Sequence, residues 1–406
     1  MNPIFLKGKS NKKEDKSSKP ENPPSFEYKT FFLGGGSANW SSSNYEAFAN
    51  EGYIKNVIAH RCINLISTAA ASVPIKLYKK MENGNRTQIS DHAALSLLSK
   101  PNKMETKMDF FEKLYSYKLI SGNCYIMAIF ASGDHSPPSS LNIIRPDKVS
   151  VLTDKYDEVC GYKIQNGKEG KSFYINSITE TCPILHIKSF HPLNEYYGLS
   201  SIECARYAID QHNEASTYAK ALLQNSARPS GALIVKATNY NNGGTLTETQ
   251  FQHLREQLYD QYTGINNTGK PLLLEGGLDW KEMSISPKDM DFIENKNSAA
   301  REIALAFGVP PQLLGLPGDN TYSNMIEARI SLWEETIVPI IIDAVSAISI
   351  WLSSIFEEDF DLEFDKESVS ALSQKRELEW DKILKADFLS TEEKREMLGI
   401  KNKKEE

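Results

Sequence analysis

Two long helical patterns bracket a short, differently patterned segment, and this arrangement constrains the chain more than any other feature. The first pattern, "LSSIECARYAIDQHNEASTYAKALLQNSARP", begins at Leu199. Ser200 and Glu203 stand at capping-box spacing. A narrow stripe then runs through Ile202, Ala205, Ile209, His212, Ser216, Ala219 and Leu223. About 24 residues at a 1.5 Å rise make a rod of roughly 36 Å. The second pattern opens with Ser286 as N-cap and Pro287 at the first helical position. It continues as "KDMDFIENKNSAAREIALAF", with Ala299 and Ile303 as packing positions, and closes at Gly308 and Pro310. Narrow stripes rich in small residues suit close packing against other helices more than a broad core. The expected product is an antiparallel helix pair carrying the bracketed segment, residues 228–286, at its far end.

That segment reads as a small αβ module. "GALIVKA" is a strand, and a helix capped by Thr247, with Gln250 at N3, carries Phe251, Leu254, Leu258 and Tyr262 on its apolar side. "KPLLLEGG" and "DWKEMSIS" are strands, the latter carrying Trp280. Residues 1–44 are rich in Lys, Ser, Pro, Asn and Gly and read as a disordered arm. Their start lacks the apolar run and cleavage site of a signal peptide.

Residues 54–190 read as α+β. The spacing of Ile58, Cys62, Leu65, Ile66 and Ala69 predicts a helix ending before Pro74. "PIKLYKK" and its return across an Asn-Gly turn predict a hairpin. A short helix capped by Asp91 and a longer one closed by Gly122 follow. After them, "CYIMAIF", "LNIIRPDKVSVL", "GYKIQNG", "KSFYI" and "PILHIKSF" predict a small mixed or antiparallel sheet.

Beyond the second long pattern lies "GVPPQLLGLPGDNTYSN", with three prolines and three glycines. Ordinary connections run about 4–6 residues, and longer ones tend to be functional or disordered. Asn324 and Glu327 have N-cap spacing, so the next helix is expected from about Asn324 to Trp351, bent at Pro339. A strand, "DLEFD", and two or three amphipathic helices close the chain.

Composition enters where it excludes functions. A net charge of −7 argues against a protein whose main work is gripping nucleic acid, since affinity there comes largely from Lys and Arg. It does not argue against one that lets nucleic acid pass. Cys62, Cys124, Cys160, Cys182 and Cys204 are scattered and read as reduced thiols rather than a disulfide framework. Ile337–Phe356 has the length of a membrane span. Asp343, Pro339, four serines and acidic flanks without Lys or Arg anchors favour a buried helix over a membrane-anchored scaffold.

No motif predicts catalysis. "GINNTGKP", residues 264–271, matches a phosphate loop except at its last position. There Pro271 supplies neither the magnesium hydroxyl nor an N–H group, and the loop follows a helix and opens a strand, the reverse of the phosphate-loop order. A nucleotide-binding hydrolase is the rival this fragment leaves. Cys182, His186 and His191 match no common zinc spacing, and His186 with Lys188 is expected on the solvent face of a strand. No catalytic residue, metal ligand or cofactor is expected.

One ordered set of motifs remains: "HRCINLISTAAASVPIKLY", "LSKPN", "SGNCYIMAI", "LNIIRPDKV", "YYGLSSIECAR", "ARPSGAL", "LLLEGGLDWKEMSISPKDMDFIE", "IALAFGVPPQLLGL", "TYSNMIEAR" and "STEEKREMLGI". Together, over about residues 54–400, they resemble the bacteriophage portal protein family, in the branch of long-tailed phages and gene-transfer particles. The resemblance implies a non-enzymatic ring of about twelve copies at one capsid vertex, the head–tail connector of a virion made in the bacterial host cytoplasm. Double-stranded DNA would pass through it, without sequence specificity, during packaging and ejection. Partners implied are other copies of the chain, the terminase packaging motor, a head–tail adaptor and the major capsid protein, with no membrane. Carried onto this chain, the α+β portal fold gives a wing at 45–198, stem helices at 199–227 and 287–311, and a clip at 228–286 facing partners through Phe251, Leu254, Leu258 and Trp280. It gives a tunnel loop at 312–323, a bent wing helix at 324–360 and a crown at 361–406. Leu316, Asp319, Asn320, Thr321, Tyr322, Ser323 and Asn324 become candidates to face DNA. Turn chemistry and helix capping are the alternative role for the polar ones. About twelve copies carry roughly −84, which disfavours DNA adhering to the wall.

Overall fold

Capping residues and apolar periodicity set the first layer of the structure. The computed structural model describes residues 41–80, 86–131, 137–167, 169–177, 179–224, 231–235, 249, 252–253, 278–282, 292–316, 322–386 and 388–397. The helical turn α1 (Tyr45–Ala47) continues as a π-helical segment over Phe48–Ile54. Asn56, fully buried, then accepts hydrogen bonds from Ile58 and Ala59 N–H and starts α2 (Val57–Ala71). Helix α3 (Ala93–Ser99) is capped by His92, whose Nδ1 accepts from Ala94 N–H. Asp91 was expected in that role; the cap falls one residue later. Helix α4 (Lys107–Ser121) opens on a Thr106–Asp109 capping box and closes at Gly122, which has φ 75°. A β-carbon at Gly122 would run into the backbone of Gly198, so glycine is needed there for both its conformation and its size.

Helices α2 and α4 pack on each other. α2 presents Ala59, Cys62, Ile63, Ile66 and Ala70, and α4 presents Phe110, Phe111, Leu114 and Tyr115, all buried. Small residues on one helix leave room for rings on the other, which is how close-packed interiors fill without voids. Around this pair lie three small antiparallel sheets. The first has the order β11-β1-β2, from β1 (Ile75–Lys80), β2 (Arg86–Ile89) and β11 (Asp361–Phe364). Its centre, Leu77, pairs with Leu362 on one side and Ile89 on the other. The division expected at 360/361 therefore falls beside a strand that belongs to the same sheet as residues 75–80.

The second sheet, β4-β3-β8, comprises β3 (Asn123–Ile129), β4 (Ser140–Ile144) and β8 (Ile184–Lys188). The third, β5-β6-β7, comprises β5 (Val149–Thr153), β6 (Val159–Asn166) and β7 (Glu169–Tyr174). A minor core of Tyr125, Val149, Ile164, Cys182 and Ile184 joins them. His186 belongs here, and not on a solvent face. Its ring stacks on Tyr125 at 4.3 Å, and its Nε2 lies 3.0 Å from Asn123 Oδ1.

The first long helical pattern is interrupted. Ser200 caps a short α5 (Ser201–Cys204), Ala205 leaves helical geometry, and α6 (Arg206–Gln224) resumes. The break coincides with contacts to segments distant in sequence. Ser200 Oγ also donates to the carbonyls of Leu119 and Ile120, and the Glu203 carboxylate accepts from Ser43 Oγ instead of completing the capping box. The second pattern forms α7 (Phe292–Ala306); the expected cap at Ser286 and Pro287 lies outside the described residues. Strands β9 (Gly231–Val235) and β10 (Leu278–Glu282) pair antiparallel, with Trp280 opposite Leu233.

Helix α8 (Tyr322–Ser331), a π-helical stretch over Leu332–Ile337 and α9 (Val338–Phe356) follow in one run. A bend was expected at Pro339. The irregularity instead precedes it: a proline without an N–H near the start of α9 is accommodated by the wider turns before it. The inner face of α9, with Ile341, Ala344, Val345, Ile348, Trp351 and Leu352, is buried in the main core. Asp343 pairs with the buried Lys118 at 2.8 Å. The run Asn324–Phe356 is long and apolar enough to cross a membrane, yet its inner face is core. Helices α10 (Ser373–Lys385) and α11 (Thr391–Met397) end the described chain.

Candidate functional site

The two long helices share one geometry. Near the body their faces are buried: Ile202, Ala205, Ala208, Ile209 and His212 on one side, Ala299, Ala300, Ile303, Ala304 and Phe307 on the other. Away from it they are not. Ser216 is half-buried and donates to the His212 carbonyl, whereas residues 217–220 and 293–296 are exposed. Both helices thus leave the core together and carry their outer turns into solvent. Of the predicted stem residues, Ile202, Ala205, Ile209, Ala299 and Ile303 are core at the base, and Ala219 is exposed. The Leu223 side chain lies outside the described residues.

A polar node fixes the base. Asn56 Nδ2 donates to Asn213 Oδ1 at 3.0 Å and lies 3.3 Å from His212 Nδ1. Asn213 Nδ2 donates to the Glu51 carbonyl. Burial, and then the positive charge of Lys296, hold His212 below the ordinary histidine range. Lowering favours the neutral ring, whose Nδ1 can accept from Asn56. Ser41 adds a further tie, its N–H and Oγ both donating to Asp210. Asn56 was missed in the sequence, although an Asn directly before an apolar-periodic run is a start signal.

The connector is anchored before it departs. Gly308 has φ 65°, and its carbonyl accepts from Thr336 Oγ1 at 2.7 Å. A β-carbon at Gly308 would lie 2.5 Å from that same oxygen. Pro311–Leu314 then form a 3-10 turn closed by Gly315 at φ 71°, with Leu313 and Leu314 against the core. So the first residues of the predicted loop 312–323 are ordered onto the body. Asp319, Asn320 and Thr321 lie outside the described residues. Helix α8 already includes Tyr322, Ser323 and Asn324, which places Asn324 in the first turn and not at the N-cap. Leu316 is half-buried at the edge of the described segment.

The buried thiols and His186 serve packing in the body. Burial pushes the thiols of Cys62 and Cys124 up to about 12, so both stay protonated. Burial, reinforced by Lys188 and Lys118, pushes His186 down to about 3. Cys182, the third member of the sequence trio with His186 and His191, accepts through Sγ from Ile184 N–H at 3.5 Å. No group of three or more potential metal ligands occurs among the described residues. The fragment 264–271 and residues Phe251, Leu254 and Leu258 lie outside them.

The described residues thus form an α+β body, a helix pair whose outer turns are exposed, and a connector anchored at Gly308. The chain belongs to the phage portal protein family, whose model matches residues 58–399. It is 47% identical over 350 residues to an uncharacterized protein of Rickettsia bellii (strain RML369-C), covering 86% of this chain and 88% of that one. It is 22% identical over 298 residues to the portal protein of Enterobacteria phage HK97, covering 72% and 66% of the two chains. Its fold is similar to a chain from the neck of a native gene transfer agent particle computed with C12 symmetry. There the TM-score is 0.67 and the identity 38%, over 90% of this chain and 95% of that one.

Proposed function

We propose that this chain is one copy of a portal ring at a single capsid vertex, the conduit for DNA entering and leaving a virion. The observation that carries this is the match of the family model across residues 58–399, together with 38% identity to a chain of a twelve-fold neck. The role is structural and not enzymatic. The ring holds about twelve copies. Within each copy, the α+β body is the wing, α6 and α7 are the stem, and residues 228–286 are the clip that meets the packaging motor and then the head–tail adaptor. The body also meets the capsid shell.

The connector is the tunnel loop. Leu316, Asp319, Asn320, Thr321, Tyr322, Ser323 and Asn324 face the channel, where the uncharged Asn320, Tyr322, Ser323 and Asn324 offer phosphates hydrogen bonds without ion pairs. The connector's anchored base at Gly308–Thr336 and its length and polarity in the sequence support that role. Deleting Leu316–Thr321 tests it. Rings should form at normal yield while packaged or retained DNA falls; unchanged DNA content refutes the channel role.

A further inference from the structure

Resting on the ring reading, we infer that the outward stripe of helix α9 packs against a second copy of this chain. Pro339, Ile342, Ser346 and Ile350 follow at spacings of three, four and four, so they line one side of the helix. All four are exposed, Ile342 at 45% and Ile350 at 74%. Less than half of the most apolar stretch of this helical run, 44%, is buried within the subunit. An outward helix face on a soluble monomer ordinarily carries charge. Here the one charge in the middle of the helix, Asp343, is already held by Lys118. Helix α9 meets strand β8 through its buried face, where Trp351 Nε1 donates to the Cys182 carbonyl just before that strand, and the stripe lies on the exposed side.

An exposed apolar stripe along one side of a helix marks an interaction site. Its chemistry selects the occupant. Glu334 and Glu335 stand before the stripe and Glu357 after it, followed by Glu358, which pairs with Lys79 at 3.0 Å. These acidic flanks oppose an anionic lipid surface, which attracts basic segments. A ring, in contrast, sets copies side by side and gives every subunit two different faces, each met by its neighbour. Ser346, small and set between two isoleucines, leaves room for a neighbouring side chain.

The test is thiol labelling of the full-length chain, assembled and unassembled, read peptide by peptide to separate the native cysteines. Ile350→Cys should react with maleimide at least about ten-fold more slowly in the ring. Met104→Cys, exposed on a loop before α4, should change less than about two-fold. In parallel, Ile342→Glu and Ile350→Glu should each raise the concentration needed for assembly by about ten-fold or more. A ring in which Ile350→Cys reacts as fast as in the free chain overturns the inference. So does binding of the wild-type chain to phosphatidylglycerol vesicles that both glutamate variants abolish while assembling normally. A wild-type chain that never assembles overturns the ring reading itself, and this surface with it, a result distinct from a ring that leaves Ile350 reactive.

Discussion

The body and the projecting helix pair are built on opposite terms. In the body, α2, α4 and α9 bury large side chains completely: Phe110, Leu114, Tyr115 and Ile63 each have almost no exposed surface. In α6 and α7, burial stops within a few turns of the body, and Ala219 and Ile293 stand in solvent. The core of the body is closed within the chain, whereas the outer turns of the pair and the outward stripe of α9 are left exposed. Stability of the isolated chain should therefore be set almost wholly by the body, and assembly by surfaces that contribute little to that stability.

The largest expected effect strikes the body. Phe110→Ala should cost about 3–5 kcal/mol in denaturant unfolding, from lost burial and the cavity left beside Phe111 and α2. A loss under about 1 kcal/mol would mean that the body is loosely packed and the contrast false. Next comes the junction between the two regions. Gly308→Ala forces a positive φ on a side chain that also meets Thr336, and should cost about 1–3 kcal/mol. Adding Thr336→Ala should recover part of that loss, because the close contact goes while the φ penalty stays.

A pH titration probes the body more gently. The folded His186 value lies near 3, far below 6.5. The unfolded chain therefore binds a proton first as pH falls, and stability contributed by neutral His186 is full above about 6.5 and lost progressively toward 3. The slope should approach at most about 1.4 kcal/mol per pH unit. His186→Phe, which keeps a ring against Tyr125, should flatten the curve between pH 6 and 4; an unchanged slope would place the proton elsewhere. The smallest effect belongs to the stem. Ala219→Glu should change monomer stability by no more than about 0.5 kcal/mol, yet reduce ring yield. Equal yield would show that the outer stem does not meet a neighbour.

The same contrast explains what could be read in advance. Helix α2, the hairpin of β1 and β2, the Gly122 stop and the strands from β3 to β8 follow local patterns, since one face of each is buried within the chain. The places that shifted depend on partners distant in sequence. The break at Ala205 reflects Ser200 reaching Leu119 and Ile120, some 80 residues away. His186 alternates as a solvent-face residue would, but a second sheet covers it, and no local pattern announces a second sheet. Strand β11 carries an ordinary strand signal, yet its partner is β1, nearly 290 residues earlier. In the connector, Gly308 and the proline pair were legible as stops. Its tie through Thr336 was not, because a lone threonine within a helical run carries no signal of its own. The outward face of α9 was hidden for another reason. A helix that is apolar on nearly every side cannot show in sequence which side its own chain covers.

The central claim is that this chain of 45.6 kDa is completed by copies of itself. Mass measurement and imaging of the purified full-length chain at micromolar concentration test it most directly. The account predicts closed rings of roughly 550 kDa, about twelve copies around a central hole. A chain that remains a monomer or dimer there, and under every condition tried with its capsid partners, contradicts it.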